Sequence, residues 1–381
     1  MIEFKASEPL SIGLELELQL LDERTLDLAD GILPLMELFP GSEHVKPEFI
    51  QNAVEIASKP CASIAELESH VASLVSELEA KCQALGMALC GAGSHPFCER
   101  LALITPMPRY LNMERRYGYL SHTQITFATH VHIGVRSGDE AVAIMRALKA
   151  YLPLVIALSA NSPFWRGYDT GHASYRHRIL AARRSYGIPP SFESWQSFSN
   201  FMASSVRADV FENIHDVHWD VRPRPHLGTV EVRAMDAQST VAEAVMLAGF
   251  VRALVAFLMR TMGSPVSDLP QPLPWWIEKD NHFQASLLGM DARYVHDERG
   301  TVVPLAEVWE KTAAAIQSTA EDLGEATYID RLRRAVAGNK IGYMRQREVH
   351  DETGSFKQVV SSLVAELRHE AAATVVPLSG L

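Results

Sequence analysis

The sequence predicts an α+β fold in which helices pack on one face of an antiparallel β-sheet and the other face is polar. Two observations predict it. Four stretches alternate apolar and polar residues with period two, as strands with one buried and one wet face do. Around them run long apolar-periodic segments that start behind helix-capping residues.

The first stretch, Gly13 to Gln19, sets Ile12, Leu14, Leu16, Leu18 and Leu20 on one face and Glu15, Glu17 and Gln19 on the other. Carboxylates side by side repel, so solvent, basic side chains or metal ions must offset them. Asp27 to Pro40 reads as a connection with a short helix. Val45 to Ala57 reads as extended chain with Gln51, Ala53, Glu55 and Ala57 on one face and Glu48 just upstream. Ser63-Ile-Ala-Glu66 is a capping box for a core helix that Gly86 stops. A buried strand follows from Met87 to Ala92, then a turn, Gly93 to Phe97, whose His95 reads as structural. Arg109 to Leu120 spaces Arg109, Arg115 and Arg116 among tyrosines as a solvated helix does, or as a basic clamp for phosphate or carboxylate.

Gln124 to Val135 is the third strand, with Ile125, Phe127, Val131, Ile133 and Val135 on its apolar face and His130 and His132 on the other. Two residues apart in a strand, these histidines lie about 7 Å apart at Cα and point the same way. Ser137 opens a long helix to about Ala160, kinked at Pro153. Asn161 to Arg176 reads as a polar loop able to bind a ligand, Ser191 to Ser205 as helix, and Trp219 to Arg222 as a short extended piece before breaks at Pro223 and Pro225. In the fourth strand, Gly228 to Asp236, Glu231 and Arg233 share a face. Thr240-Val-Ala-Glu243 is a capping box for a helix to Met262; beyond Pro265 the chain is proline-punctuated, then helical from Ala306, Ala326 and Thr353 onward. The motifs need one another, so residues 1–381 read as one domain with a mainly helical part from about residue 265.

A net charge of −11 with no basic tract argues against nucleic acid as a partner. The N-terminus has no apolar h-region, and the apolar run from Val241 to Met262 is broken by Glu243, Arg252 and Arg260, which reads as a buried helix and not a membrane span. Cys61, Cys82, Cys90 and Cys98 have no CxxC spacing and read as reduced thiols of a cytoplasmic protein.

Together the polar faces hold Glu15, Glu17, Glu55, His130, His132, Glu231 and Arg233, with no lysine. Clustered carboxylates with histidine suit magnesium or manganese better than zinc. Arg233 beside Glu231 adds a cation for phosphate charge. There is no GxxxxGK[ST] loop and no strand-linked GxGxxG, so phosphoryl transfer across a metal-coated sheet face is the chemistry the residues predict.

Gly13-Leu-Glu-Leu-Glu17, Gln51-Asn-Ala-Val-Glu55, Gly93-Ser-His-Pro-Phe97, His130-Val-His-Ile-Gly134, Ser162-Pro-Phe-Trp165, Trp219-Asp-Val-Arg-Pro223 and Gly228-Thr-Val-Glu-Val-Arg233 resemble the bacterial carboxylate–amine ligase family, glutamate–cysteine ligase type 2. More distantly the chain resembles the glutamine synthetase and guanidino kinase superfamily. The resemblance implies a curved antiparallel sheet, ATP and Mg2+ or Mn2+ as cofactors, amino acid substrates and a homodimer. It implies one metal on Glu15, His130 and Glu231, a second on Glu17, Glu48 and Glu55, Arg233 on the γ-phosphate or acyl phosphate, and His132 near the phosphates. Arg109, Arg176 and Arg222, on basic loops, become substrate clamps. The implied activity is weak ATP-dependent formation of γ-glutamylcysteine through an acyl phosphate; the alternatives are guanidino phosphotransfer and a non-catalytic nucleotide- or metal-binding protein. Where relatives carry arginines, this chain has His282 and Leu287, a departure bearing on substrate choice.

Overall fold

The computed structural model describes residues 2–263, 266 and 268–375; Pro265 and the last residues of the expected C-terminal helix lie outside them. Seven strands form the main sheet: β1 (Ile12–Asp22), β2 (Val45–Pro47), β3 (Ala53–Ala57), β4 (Met87–Cys90), β5 (Ala128–Gly134), β6 (Val221–Arg224) and β7 (Thr229–Asp236). Their order is β6-β7-β5-β1-β3-β2, with β4 also on β1, and every pairing is antiparallel. The expected period-two faces are present. Leu14, Leu16, Leu18 and Leu20 are buried in the core, as are Val131, Ile133, Val230 and Val232.

Three sequence expectations change here. Val45 to Ala57 is two strands, β2 and β3, with the chain turning at 48–52. Pro223 does not break the chain but sits inside β6, which an edge strand tolerates because its outward side needs no donor. The expected kink at Pro153 is a tight turn: α5 (Gly138–Leu148) gives way to a 3-10 turn, Lys149–Tyr151, before α6 (Leu152–Ser159). Proline has no N–H for the carbonyl four residues back and its ring crowds that oxygen.

The preceding helices are α1 (Ile32–Glu37), α2 (Ile64–Ala84), α3 (Pro108–Tyr117) and α4 (Tyr119–Thr123). Ser63 Oγ caps α2 at Glu66 N, but the Glu66 carboxylate accepts from Ala62 N, so the reciprocal half of the box is displaced by one residue. After α6 come α7 (Arg176–Leu180), α8 (Trp195–Arg207) and α9 (Val241–Thr261). Two independent caps hold the start of α9. Thr240 Oγ1 accepts from Glu243 N, and the Glu370 carboxylate accepts from Val241 N at 2.6 Å and Ala242 N at 2.8 Å, a negative charge at the positive end of the helix dipole. α9 packs against α2, β1 and β5 on the apolar side of the sheet. It and the stretch Gly138–Ser159 are long and apolar enough to cross a membrane, and most of each is buried inside the protein.

The C-terminal part holds α10 (Trp275–Leu288), α11 (Leu305–Asp322), α12 (Ala326–Ala337), α13 (Gly342–Thr353) and α14 (Phe356–Val375). Thr353 ends α13 instead of opening a helix, and a hairpin, Arg293–Val295 with Val302–Pro304, lies where none was expected.

Candidate active site

Strand register builds the site. Glu15 lies opposite His130 and Gly13 opposite His132; His132 faces Glu231, Glu231 faces Arg222, Glu17 faces Glu55, and Glu55 faces Lys46. A cavity of about 310 Å3 opens on this polar face. Carboxylates from β1, β3 and the turn after β2 form one part of its wall, and arginines from α3, α7, β6 and β7 another.

Two groups of donors converge. Oxygens of Glu17, Glu48 and Glu55 lie within 4.8 Å of one another, and so do ligand atoms of Glu15, His132 and Glu231. The second group has His132 where the expectation had His130, and His130 Nδ1 also lies 3.9 Å from Glu231 Oε1. His130 stands between the groups, with Nδ1 3.0 Å from Glu15 Oε2 and Nε2 3.8 Å from Glu17 Oε1. Burial, then Arg233, holds the His130 imidazole down to about 3, so it is neutral; Nδ1–H donates to Glu15 and Nε2 is a bare lone pair. That Nε2 is buried without a hydrogen-bond partner, while His132 Nε2 lies 3.2 Å from Glu15 Oε1.

The carboxylates fall into two electrostatic classes. Burial opposes ionisation of Glu15, yet His132 and His130 hold it well below the usual range. Glu231 is likewise low despite burial, held by Arg222, Arg233, His132 and Arg224. Burial and the Glu48 carboxylate instead push Glu17 up to about 8, and burial with Glu15, Glu48 and Glu17 raises Glu55 well above its ordinary value. Crowded, under-neutralised carboxylates beside an unpartnered imidazole nitrogen are a donor set that a hard divalent cation fits.

The arginines divide by what already occupies them. Arg222 forks onto Glu231, Nε at 2.7 Å and Nη2 at 3.2 Å, and its Nη1 donates to the Val217 carbonyl. It lines the cavity from β6 and not from a loop as expected, with these donors engaged inside the protein. Arg233 also pairs with Glu231, while its buried Nε has no partner. Arg176, on α7, reaches the Arg233 carbonyl at 3.4 Å and has an unpartnered buried Nε. Arg109, exposed on α3, lines the cavity with its guanidinium 5.9 Å from the Tyr110 ring centroid.

Several cavity residues escaped the sequence reading. Lys46 Nζ approaches Glu55 Oε1 at 4.0 Å, so the polar face does carry a lysine. Arg224 Nε lies 3.4 Å from Glu231 Oε2, and Arg183 spreads its guanidinium 5.3 Å from the rings of both Phe49 and Tyr117. Continuing the alternation from Arg222 to Arg224 would have found one of them. Conversely, the polar stretch from Asn161 is scaffold: Asn161 N, Ser162 Oγ and Ser174 Oγ all donate to the buried Asp236 carboxylate. His95 is structural as expected, its ring nitrogens bonded to Leu26 O and Cys98 N.

Residues 11–366 match the model of glutamate–cysteine ligase family 2. A protein of Trichormus variabilis provisionally named glutamate–cysteine ligase 2 is 47% identical over 97% of this chain and 96% of its own length, and one of Thermobifida fusca with the same provisional name is 35% identical over 98% and 94%. Among solved structures, the fold is similar to glutamate–cysteine ligase of Francisella tularensis in complex with AMP, with a TM-score of 0.69 at 14% identity over 98% of this chain and 94% of that one. It is also similar to a bifunctional glutathione synthetase of Pasteurella multocida, with a TM-score of 0.72 at 12% identity over 95% of this chain and 53% of that one. With its mixed antiparallel sheet and helices and a family match over nearly its whole length, the chain belongs to glutamate–cysteine ligase family 2.

Proposed function

We propose that the chain is an ATP-dependent ligase that joins a carboxylate to an amine, with the γ-carboxylate of glutamate and the amine of cysteine as the pair that family membership favours. The observation that carries this reading is the cavity wall: grouped carboxylates from β1, β3 and the turn after β2, and arginines from α3, α7 and β7, meeting around a neutral His130. A metal-bound polyphosphate carries both signs of charge and needs both walls.

Magnesium or manganese would be held by Glu17, Glu48 and Glu55 and by Glu15, His132 and Glu231, offsetting phosphate charge when bound. In the first step the substrate carboxylate attacks the γ-phosphorus of ATP and the bond to ADP breaks; Arg233 and Arg176 offset the charge on the transferred group. In the second, the amine attacks the acyl carbon and inorganic phosphate leaves. Arg109, exposed at the rim and unoccupied by any carboxylate pairing among the described residues, is positioned to meet a substrate carboxylate. The working unit is the whole chain, a cytoplasmic enzyme on this reading, because the cavity draws on residues from Glu15 to Arg233.

Phosphate release from Mg-ATP, scanned with pairs of amino acids, tests this. Release that requires both glutamate and an amine is expected, and Glu15→Ala should lower turnover by about 100-fold or more. Release to a guanidino compound, or magnesium-dependent ATP binding with no release for any pair, would overturn the ligase reading.

A further inference from the structure

Behind the cavity, His177 of α7, His282 of α10 and Asp220, just before β6, bring three ligand atoms within 4.8 Å of one another. All three side chains are buried, Asp220 completely. His177 Nε2 donates to the Ala234 carbonyl at 2.9 Å, which leaves Nδ1 as a lone pair, and this Nδ1 is buried without a partner. Asp220 Oδ2 contacts His282 Nε2 at 2.7 Å, while Oδ1 is buried without a partner. Two orphaned atoms, one nitrogen and one oxygen, in the same cluster are unfavourable unless something is bound between them.

We propose that His177, Asp220 and His282 form a binding site for a zinc-class divalent ion, distinct from the magnesium-type donors of the cavity. Two imidazoles and one carboxylate are the ligand types that suit zinc and its neighbours more than magnesium. A ring N–H held by a backbone carbonyl, as on His177, is how a metal-bound histidine is kept in one tautomer and one orientation. A cavity of about 580 Å3, lined by both histidines with Trp276 and Lys279, gives a route in and room for water in the fourth position. Arg176 and Arg178 flank His177 and oppose a cation, but each has another station: Arg176 reaches the Arg233 carbonyl and Arg178 lies 5.0 Å from the Phe283 ring centroid. The site also grips the strand carrying Arg233. Asp220 O accepts from Arg233 N at 2.7 Å and His177 holds Ala234 O, so a bound ion would brace the backbone on both sides of that residue.

The test is metal content and does not depend on the ligase reading. Full-length protein is loaded with zinc, dialysed against millimolar magnesium and assayed by atomic emission, with Co2+ titration read in the visible. About one zinc per chain and tetrahedral Co2+ bands are expected in the wild type and in Glu17→Gln, with affinity roughly tenfold or more weaker in His282→Gln and Asp220→Asn. His282→Gln keeps a polar partner for Asp220 and serves if Asp220→Asn fails to fold. A wild type that retains no zinc and gives no Co2+ bands, or zinc retention unchanged in His282→Gln, would overturn the proposal.

Discussion

Glu17 shows how a single side chain couples the site to stability. Its proton affinity is pushed up to about 8 by burial and the neighbouring Glu48 carboxylate. A raised carboxyl contributes stability that is fully present below its unfolded value near 4.5 and is lost as pH rises through about 8. Urea melts in chelator should therefore show the protein losing stability between pH 5 and 9, by on the order of 4 kcal/mol if Glu17 acts alone. Glu17→Gln should flatten that slope while abolishing turnover; an unchanged slope would mean Glu17 ionises freely. What sequence showed at this scale was which way side chains point. Alternation placed Glu15, Glu17, Glu231 and Arg233 on one face; Glu15, Glu17 and Arg233 line the cavity, and Glu231 lies buried against Arg222 and Arg233. It did not place Lys46, because that residue joins the face only through pairing of β2 with β3, and it did not reveal that Arg222 is fully engaged by Glu231 and Val217.

At the scale of elements, the β6–β7 hairpin delivers Glu231 and Arg233, and its turn ends at Gly228. Gly228 has φ of +69°, and a Cβ there would lie 2.2 Å from the Lys5 carbonyl oxygen. Gly228→Ala should cost about 2 kcal/mol or more, read as a lowered denaturation midpoint with unchanged m-value; a loss below about 0.5 kcal/mol would show that residues 5–7 move aside freely. Helix starts were legible because Ser63, Ser137 and Thr240 cap locally, through the backbone N–H three residues on. The second cap on α9 was not, since Glu370 comes from α14 near the other end of the chain. The hairpin after α10 was hidden for a similar reason: its strands are three residues each, too short for a period to register.

For the whole molecule, Arg252 is the joint. Buried in α9, it donates to Leu10 O and Ala62 O, each at 2.7 Å, and pairs with Glu325 at the start of α12. The sequence showed it only as an interruption of an apolar run; its partners lie far apart in the chain. Arg252→Ala leaves Glu325 buried without its cation and should lower global stability by about 3–5 kcal/mol in equilibrium unfolding, whereas a loss below about 1 kcal/mol would mean water reaches this joint. The sheet itself has a property that bears on assembly. Both ends of its strand path, β6 and β2, are short and each contains a proline, Pro223 and Pro47. A residue that offers no N–H is a poor template for a further strand, so both ends of this path are blunted against edge-to-edge pairing. A second chain adding a strand at either end of this path would meet a missing donor at Pro47 or at Pro223.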